Sequence, residues 1–175
     1  MLEILKNRLL KGVVTVPAAG QGRGLPEEVE ALGKELKADI YKKFGRSFHI
    51  REVDTGSCAG CESEIISATN PIYDIQRFGI DFVASPRHAD ALLVTGPVSK
   101  NMVLALKKTY NAMPGPKLVI TLGDCARDGG IFKGSYYVEG GAGKIVPVAA
   151  HIPGCPPDPT AIIGSILSLL RKKVR

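Results

Sequence analysis

The chain has 175 residues, 45% of them hydrophobic and 23% charged, an ordinary globular composition that allows one domain with a sizeable core. No apolar run approaches the ~18 residues of a membrane span, so the chain is not expected to cross a bilayer by itself. The net charge of +6 is dispersed over short clusters, aromatics are 6%, and no nucleic-acid motif occurs; a solvated face or an acidic partner is expected, and no nucleic acid.

In chain order, residues 1–12 place Leu2, Leu5 and Leu9 on one helical side. So short a helix is unstable alone and must dock, on a partner, a membrane surface or its own domain. A linker rich in Gly and Pro follows, so residues 1–25 are read as an amphipathic arm and linker, and 26–175 as a single domain. Pro26 before Glu27 and Glu28 starts a helix expected to run to about Phe44. Beyond it the apolar stretches at 49–54, 81–85, 91–96, 117–123 and 144–152 read as strands. Helical stretches stand between most of them, at 62–68 and 100–110, and after the last strand at 160–172. Strands alternating with helices predict an α/β domain with a mostly parallel sheet.

The amino terminus lacks the pattern of a secretory signal, which predicts a reducing, cytoplasmic setting. Four cysteines there are expected to serve metal or redox chemistry and not disulfides. Cys58 and Cys61 follow the first strand in TGSCAGCE, Cys125 follows the fourth through Asp124, and Cys155 follows the last through Pro153-Gly154. In an open parallel sheet the carboxyl ends of the strands share one edge, where ligands bind, so these distant residues are predicted to converge. Zinc sites usually pair two short Cys-x2-Cys knuckles. Here one such pair is followed by 63 residues, a single Cys, 29 residues and another single Cys. Gly56, Gly60, Gly123 and Gly154 stand close by, and glycine lets backbone approach a bulky inorganic group. The spacing favours an iron–sulfur cluster; zinc and a simple dithiol stay open. The Gly140–Lys144 stretch GGAGK imitates a phosphate loop but lacks its first glycine and has Ile145 in place of Ser or Thr.

Four segments in order, SCAGCESEI, ASPRHADALLVTGPV, VITLGDCARDGGIF and KIVPVAAHIPGCPPDP, resemble signature segments of the small subunit of group 4 membrane-bound nickel–iron hydrogenases. They are also similar to the cluster-bearing B subunit of respiratory complex I, and the match covers roughly residues 45–172. Cysteines separated by Ala59-Gly60, and a histidine in SPRHAD, stand closer to the hydrogenase form. The resemblance implies a flavodoxin-like open sheet with helices on both faces and one 4Fe-4S cluster on Cys58, Cys61, Cys125 and Cys155. It further implies an electron-transfer subunit of an oxidoreductase complex, with the catalytic centre on a large partner subunit. That complex would be a ferredoxin-linked hydrogenase on the cytoplasmic side of the membrane, coupling proton reduction to ion translocation. Its other partners would be a ferredoxin-like cluster subunit and membrane subunits. A nickel-free relative reducing a sulfur compound or a quinone is the alternative.

Other residues have two readings each. Arg87 and His88, placed after a strand, are expected on the cluster edge, where a cation raises the potential and an imidazole couples a proton. Otherwise Arg87 pairs with Asp90 and His88 caps a loop. Glu62 and Glu64 suit the first turn of a helix, and Glu64 is a candidate proton relay because an acid recurs there in the relatives. His49 and His151 read as core or interface histidines, and Asp124 and Asp128 as turn caps or local negative charge.

Overall fold

The computed structural model describes residues 26–174. The expected arm and linker at 1–25 lie outside the described residues. Helix α1 spans Glu27–Phe44, with Glu27, Glu28 and Glu30 in its first turn and Lys42 and Lys43 in its last. Those charges complement the helix dipole, and Gly45 closes the helix in a left-handed conformation with its N–H donating to the Tyr41 carbonyl at 2.9 Å.

Strand β1 is Phe48–Asp54, α2 is Gly60–Ala68, and β2 is only Ile80–Phe82. Strand β3, Ala91–Thr95, is followed by a 3₁₀ turn at Lys100–Met102 and by α3, Val103–Ala112. Then come β4, Leu118–Leu122, the one-turn helix α4, Asp124–Asp128, β5, Ala150–Ile152, and α5, Pro159–Val174. The five strands form one sheet in the order β2-β1-β3-β4-β5. Every pairing is parallel, so the expected "mostly parallel" sheet is wholly so.

This order places β1 and β3 at the centre, where the chain reverses its winding and ligand crevices open. All five residues of β3 are buried, as a strand covered on both faces requires. Its alternate residues serve two cores. Ala91 and Leu93 join Leu36, Ile65, Ile120, Ile163 and Leu167, under α1, α2 and α5. Leu92 and Val94 join Val98, Leu106, Val119 and Val146, under α3. Each fully buried Leu or Ile contributes about 1.5–3 kcal/mol, so the two cores fix the strand positions from both sides.

Two strands are shorter than the sequence suggests. In the 144–152 stretch only Ala150–Ile152 pairs with β4. Pro147 has no N–H for a ladder, and the residues before it coil: Ile145 and Val146 donate to the Ala142 carbonyl at 2.9 and 3.0 Å. In the 81–85 stretch pairing stops at Phe82, because Ser85 and Pro86 open a 3₁₀ turn at Pro86–His88.

Candidate functional site: a four-cysteine cleft

The loop leaving β1 is built by local polar contacts. Asp54 Oδ1 accepts the N–H groups of Gly56 and Ser57 at 2.8 and 2.9 Å, which turns the chain sharply after the strand. Ser57 Oγ accepts the Ala59 N–H at 3.0 Å and donates to Glu62 Oε2 at 2.8 Å. Ala59 takes a left-handed conformation and α2 starts at the next residue, so Cys58 lies before the helix and Cys61 within its first turn. Buried Thr55 ties this loop to the exit of β3: its Oγ1 donates to the Thr95 carbonyl at 2.5 Å and accepts the Val98 N–H at 3.1 Å.

The exits of β4 and β5 are tied in the same way. Gly123 N–H donates to the Ile152 carbonyl and Asp124 N–H to the Gly154 carbonyl, both at 2.9 Å. The strand ladder thus continues past the sheet and holds the Cys125 and Cys155 loops side by side. One cleft of about 70 Å³ results, lined by all four cysteines together with Gly60, Gly96, Gly123's neighbour Asp124, and Pro156. All four are free thiols; Cys58 and Cys155 are exposed, while Cys61 and Cys125 are half-buried.

Two glycines make room for sulfur. Gly123 stands at φ +84°, and a β-carbon there would meet Cys61 Sγ at 2.7 Å. One on Gly130 would meet Cys125 Sγ at 2.9 Å. Any other residue at either place would force the neighbouring sulfur or the backbone beside it to shift.

The electrostatics of the bare site are unfavourable to thiolates. Burial, then the carboxylate of Glu62 and the other three cysteines, push the Cys61 thiol up to about 12. Burial and the neighbouring Cys155 also raise Cys125. The Cys61 thiol points to the Leu122 carbonyl at 3.8 Å. Thiolates crowded in this way need positive charge among them, which bound metal supplies.

Among the described residues no three His, Cys, Asp or Glu side chains are drawn together closely enough to hold one metal ion. Zinc needs its ligands at ~2.0–2.3 Å around a point. Four sulfurs around a cavity, with glycine beside them, offer the thiolate set and the room that an iron–sulfur group needs.

The other expected site residues are not in this cleft. Glu64 is half-buried on α2 and makes no hydrogen bond or ion pair among the described residues. At ~100° per residue it lies on the far side of the helix from Glu62. Glu62, in contrast, is held by Ser57, and its Oε1 is buried without a partner. It borders a second cleft of about 410 Å³ that also includes Arg51 and Glu52. Burial raises the Glu52 carboxyl, against an opposing hydrogen bond from Thr95.

Arg87 and His88 are placed at the opposite edge of the sheet, which corrects the expectation that they neighbour the cluster site. Their turn precedes β3 and sits beside His49 near the start of β1; the Asp90 N–H donates to the His49 carbonyl at 2.8 Å. From His49 to Asp54 the strand rises about 16 Å at ~3.3 Å per residue, so neither side chain tunes the cysteine cleft by contact. Nor does Arg87 pair with Asp90: that carboxylate is held by both nitrogens of Arg46, at 2.8 and 2.9 Å.

Asp124 and His151 do lie near the cysteine edge. His151 Nδ1 meets Thr121 Oγ1 at 3.0 Å and its Nε2 stands 3.7 Å from Asp124. Burial and the nearby Arg127 lower its pKa, against Asp124, so its ring favours the neutral form. Asp128 caps a turn, accepting the Gly130 N–H at 3.0 Å. Ser57, Gly96 and Gly130 are site residues that sequence reasoning missed. Only Gly130, in the pair after Cys125, carried a visible signal.

Residues 58–169 match the family described as NADH ubiquinone oxidoreductase, 20 Kd subunit. The chain belongs to this family. It is 43% identical over 161 residues to formate hydrogenlyase subunit 7 of Escherichia coli, covering 90% of this chain. It spans only 63% of that relative's length. It is 44% identical over 145 residues to a probable membrane-bound hydrogenase subunit, mbhJ, of Pyrococcus furiosus, covering 83% of this chain and 86% of the relative. Among solved structures, a chain of the membrane-bound sulfane sulfur reductase, an archaeal respiratory membrane complex, superposes with a TM-score of 0.63 at 31% identity. That match covers 79% of this chain and 77% of the other. Family and relatives bear out the resemblance drawn from the four sequence segments, and the relatives named are subunits of oxidoreductase complexes. No described helix is long and apolar enough to cross a membrane.

Proposed function

We propose that this chain is the electron-transfer subunit of a membrane-bound, ferredoxin-linked hydrogenase-type complex, holding one 4Fe-4S cluster on Cys58, Cys61, Cys125 and Cys155. The observation that carries the reading is the convergence of four free thiols, from three loops at the carboxyl edge of the sheet, on one cleft. When bound, the cluster supplies one-electron transfer without a change of bonding partners.

The chain's own residues have separable tasks. Cys61 and Cys125, half-buried and next to Gly123 and Gly130, anchor the inner side and limit water. Cys58 and Cys155 are exposed, so the group lies close to whatever docks on this edge. Ile131 and Tyr136, on the segment after Cys125, are 76% and 86% exposed. Ile131, whose backbone bonds the Cys125 side chain, is thus a large apolar side chain left in water beside the site, which suits a protein partner. We assign that partner as the large catalytic subunit, with a ferredoxin-like cluster subunit and membrane subunits completing the complex. Its favoured reaction is proton reduction at the cytoplasmic side of the membrane, coupled to ion translocation. Glu64 remains a candidate proton carrier only through a partner's groups, since no described neighbour exchanges a hydrogen bond with it.

The structural neighbour named for sulfane sulfur reduction lends weak support to a second reading, the same cluster role in a complex that reduces a sulfur compound or a quinone without nickel. Anaerobic purification through a tag on this chain, with iron, nickel and acid-labile sulfide analysis, separates the two. Iron and sulfide with stoichiometric nickel support the hydrogenase; iron and sulfide without nickel support the sulfur or quinone reading. Zinc in place of iron defeats both.

A further inference from the structure

The amino edge of the sheet carries a feature that the cluster role does not use. Arg46, His49, Arg87, His88 and Pro114 line an open cleft of about 350 Å³. Its basic groups are unequally satisfied. Arg46 is held by Asp90 in a two-bonded ion pair, and His49 Nδ1 stands 3.1 Å from the His88 carbonyl. The side chains of Arg87 and His88 are exposed and have no hydrogen-bond or ion-pair partner among the described residues. Among the described residues no carboxylate lines the cleft itself; Asp90 stands beside it, already taken by Arg46.

Pro114 also borders a second cleft of about 270 Å³, walled by Phe44, Phe48, Pro116 and Leu118, with Lys43, Lys117 and the Arg46-bound Asp90 at its margin. A basic and a largely apolar recess therefore abut, on a frame of strand starts and a proline turn. A guanidinium presents a planar fork that matches a carboxylate, and a frame this fixed selects position as well as charge.

We propose that this edge docks a partner-subunit segment that places a carboxylate between Arg87 and His88 and an adjacent apolar side chain against Phe44 and Phe48. Charge excludes this chain's own ends as the occupant. Residues 1–25 carry one acid, Glu3, against Lys6, Arg8, Lys11 and Arg23, and the tail contains Arg171, Lys172, Lys173 and Arg175. Both would be repelled. An anionic membrane attracts long, mobile basic chains on a convex face, whereas these groups rim a recess. The surface goes beyond the electron-transfer role, because it lies a full strand length from the cysteines and would dock a partner whichever reaction the complex performs.

The test uses the complex purified through a tag on this chain. A photo-crosslinking amino acid replaces His88, and the linked peptide is identified by mass spectrometry. The expected adduct is a partner segment containing Asp or Glu within two residues of an aliphatic or aromatic residue. Adducts to lipid, to a second copy of this chain, or to a segment without a carboxylate overturn the proposal, as does the lack of any adduct. In parallel, R87E should cut retention of that same partner about tenfold at physiological salt, with R87K retaining more, while iron and sulfide per chain stay unchanged. Equal retention in R87E and the unmodified complex overturns the proposal. Loss of iron in all chains, unmodified included, would instead fault the cluster assignment.

Discussion

The two edges of one sheet are built for different work. At the carboxyl edge the strand ladder runs on into the loops: Gly123 bonds to Ile152, Asp124 to Gly154, and Thr55 to Thr95. Side chains there are small or absent, and the space they vacate belongs to sulfur. At the amino edge backbone bonds also occur, from Asp90 to His49 and Phe48 to Gly79, but the Asp90 carboxylate adds a side-chain tie, receiving Arg46 and the His49 N–H, while Arg87 and His88 face solvent. Backbone ties hold the four thiols in place, as the proposed cluster requires. The single Arg46–Asp90 pair leaves Arg87 and His88 as a basic rim that another protein can meet.

The comparison breaks most severely at the cysteines. Cys61→Ala is expected to abolish iron and sulfide binding, measured per chain after anaerobic purification, while R87E leaves both intact. Next comes the shared frame. Leu93→Ala, at a fully buried position in the central strand, should cost about 2–5 kcal/mol of unfolding free energy in urea, and both edges should suffer together. Gly123→Ala is more selective. Its β-carbon meets Cys61 Sγ at 2.7 Å in a conformation unfavourable to other residues. It should cost about 1–3 kcal/mol and most of the bound iron, with retention of the amino-edge partner unchanged.

Asp90→Ala should do the reverse. It strips Arg46 and the His49 N–H of their acceptor, at about 1–2 kcal/mol given the partial exposure of the pair, and leaves iron content unchanged. The last effect appears only at high pH. In the metal-free chain Cys61 titrates near 12 in the fold, above the ordinary value of 9.0. Above about pH 9 the unfolded chain releases a proton that the folded chain keeps, so stability is full below that pH and falls as pH rises toward 12. Cys61→Ala should flatten the decline in melting temperature over that window, leaving the part due to Cys125.

Much of this was legible in the sequence, for physical reasons that also explain the failures. Strands β1, β3 and β4 are apolar runs bounded by turn residues, and each lies within one or two residues of the stretch predicted. Cysteine convergence followed from parallel topology, since every cysteine segment leaves a strand end. The 144–152 run misled because apolar composition cannot distinguish a coiled segment from a strand; only Pro147 disclosed the break. Arg87 and His88 misled because β2 has just three residues. A position soon after so short a strand is still near the level of Ile50, and the chain returns to the amino edge before β3 begins. The backbone approach of Gly96 to the Ser57 N–H, within 3.0 Å of where a β-carbon would stand, joins residues far apart in the chain, and no local pattern announces it.

The most direct test of the account is iron and acid-labile sulfide analysis of four single variants, Cys58→Ala, Cys61→Ala, Cys125→Ala and Cys155→Ala, each purified anaerobically beside the unmodified protein. The account predicts equal iron and sulfide in the unmodified protein, and a fall in both in every variant, because one group draws on all four thiols. Full iron and sulfide in the variants at Cys125 and Cys155, or zinc without sulfide in the unmodified protein, would contradict it.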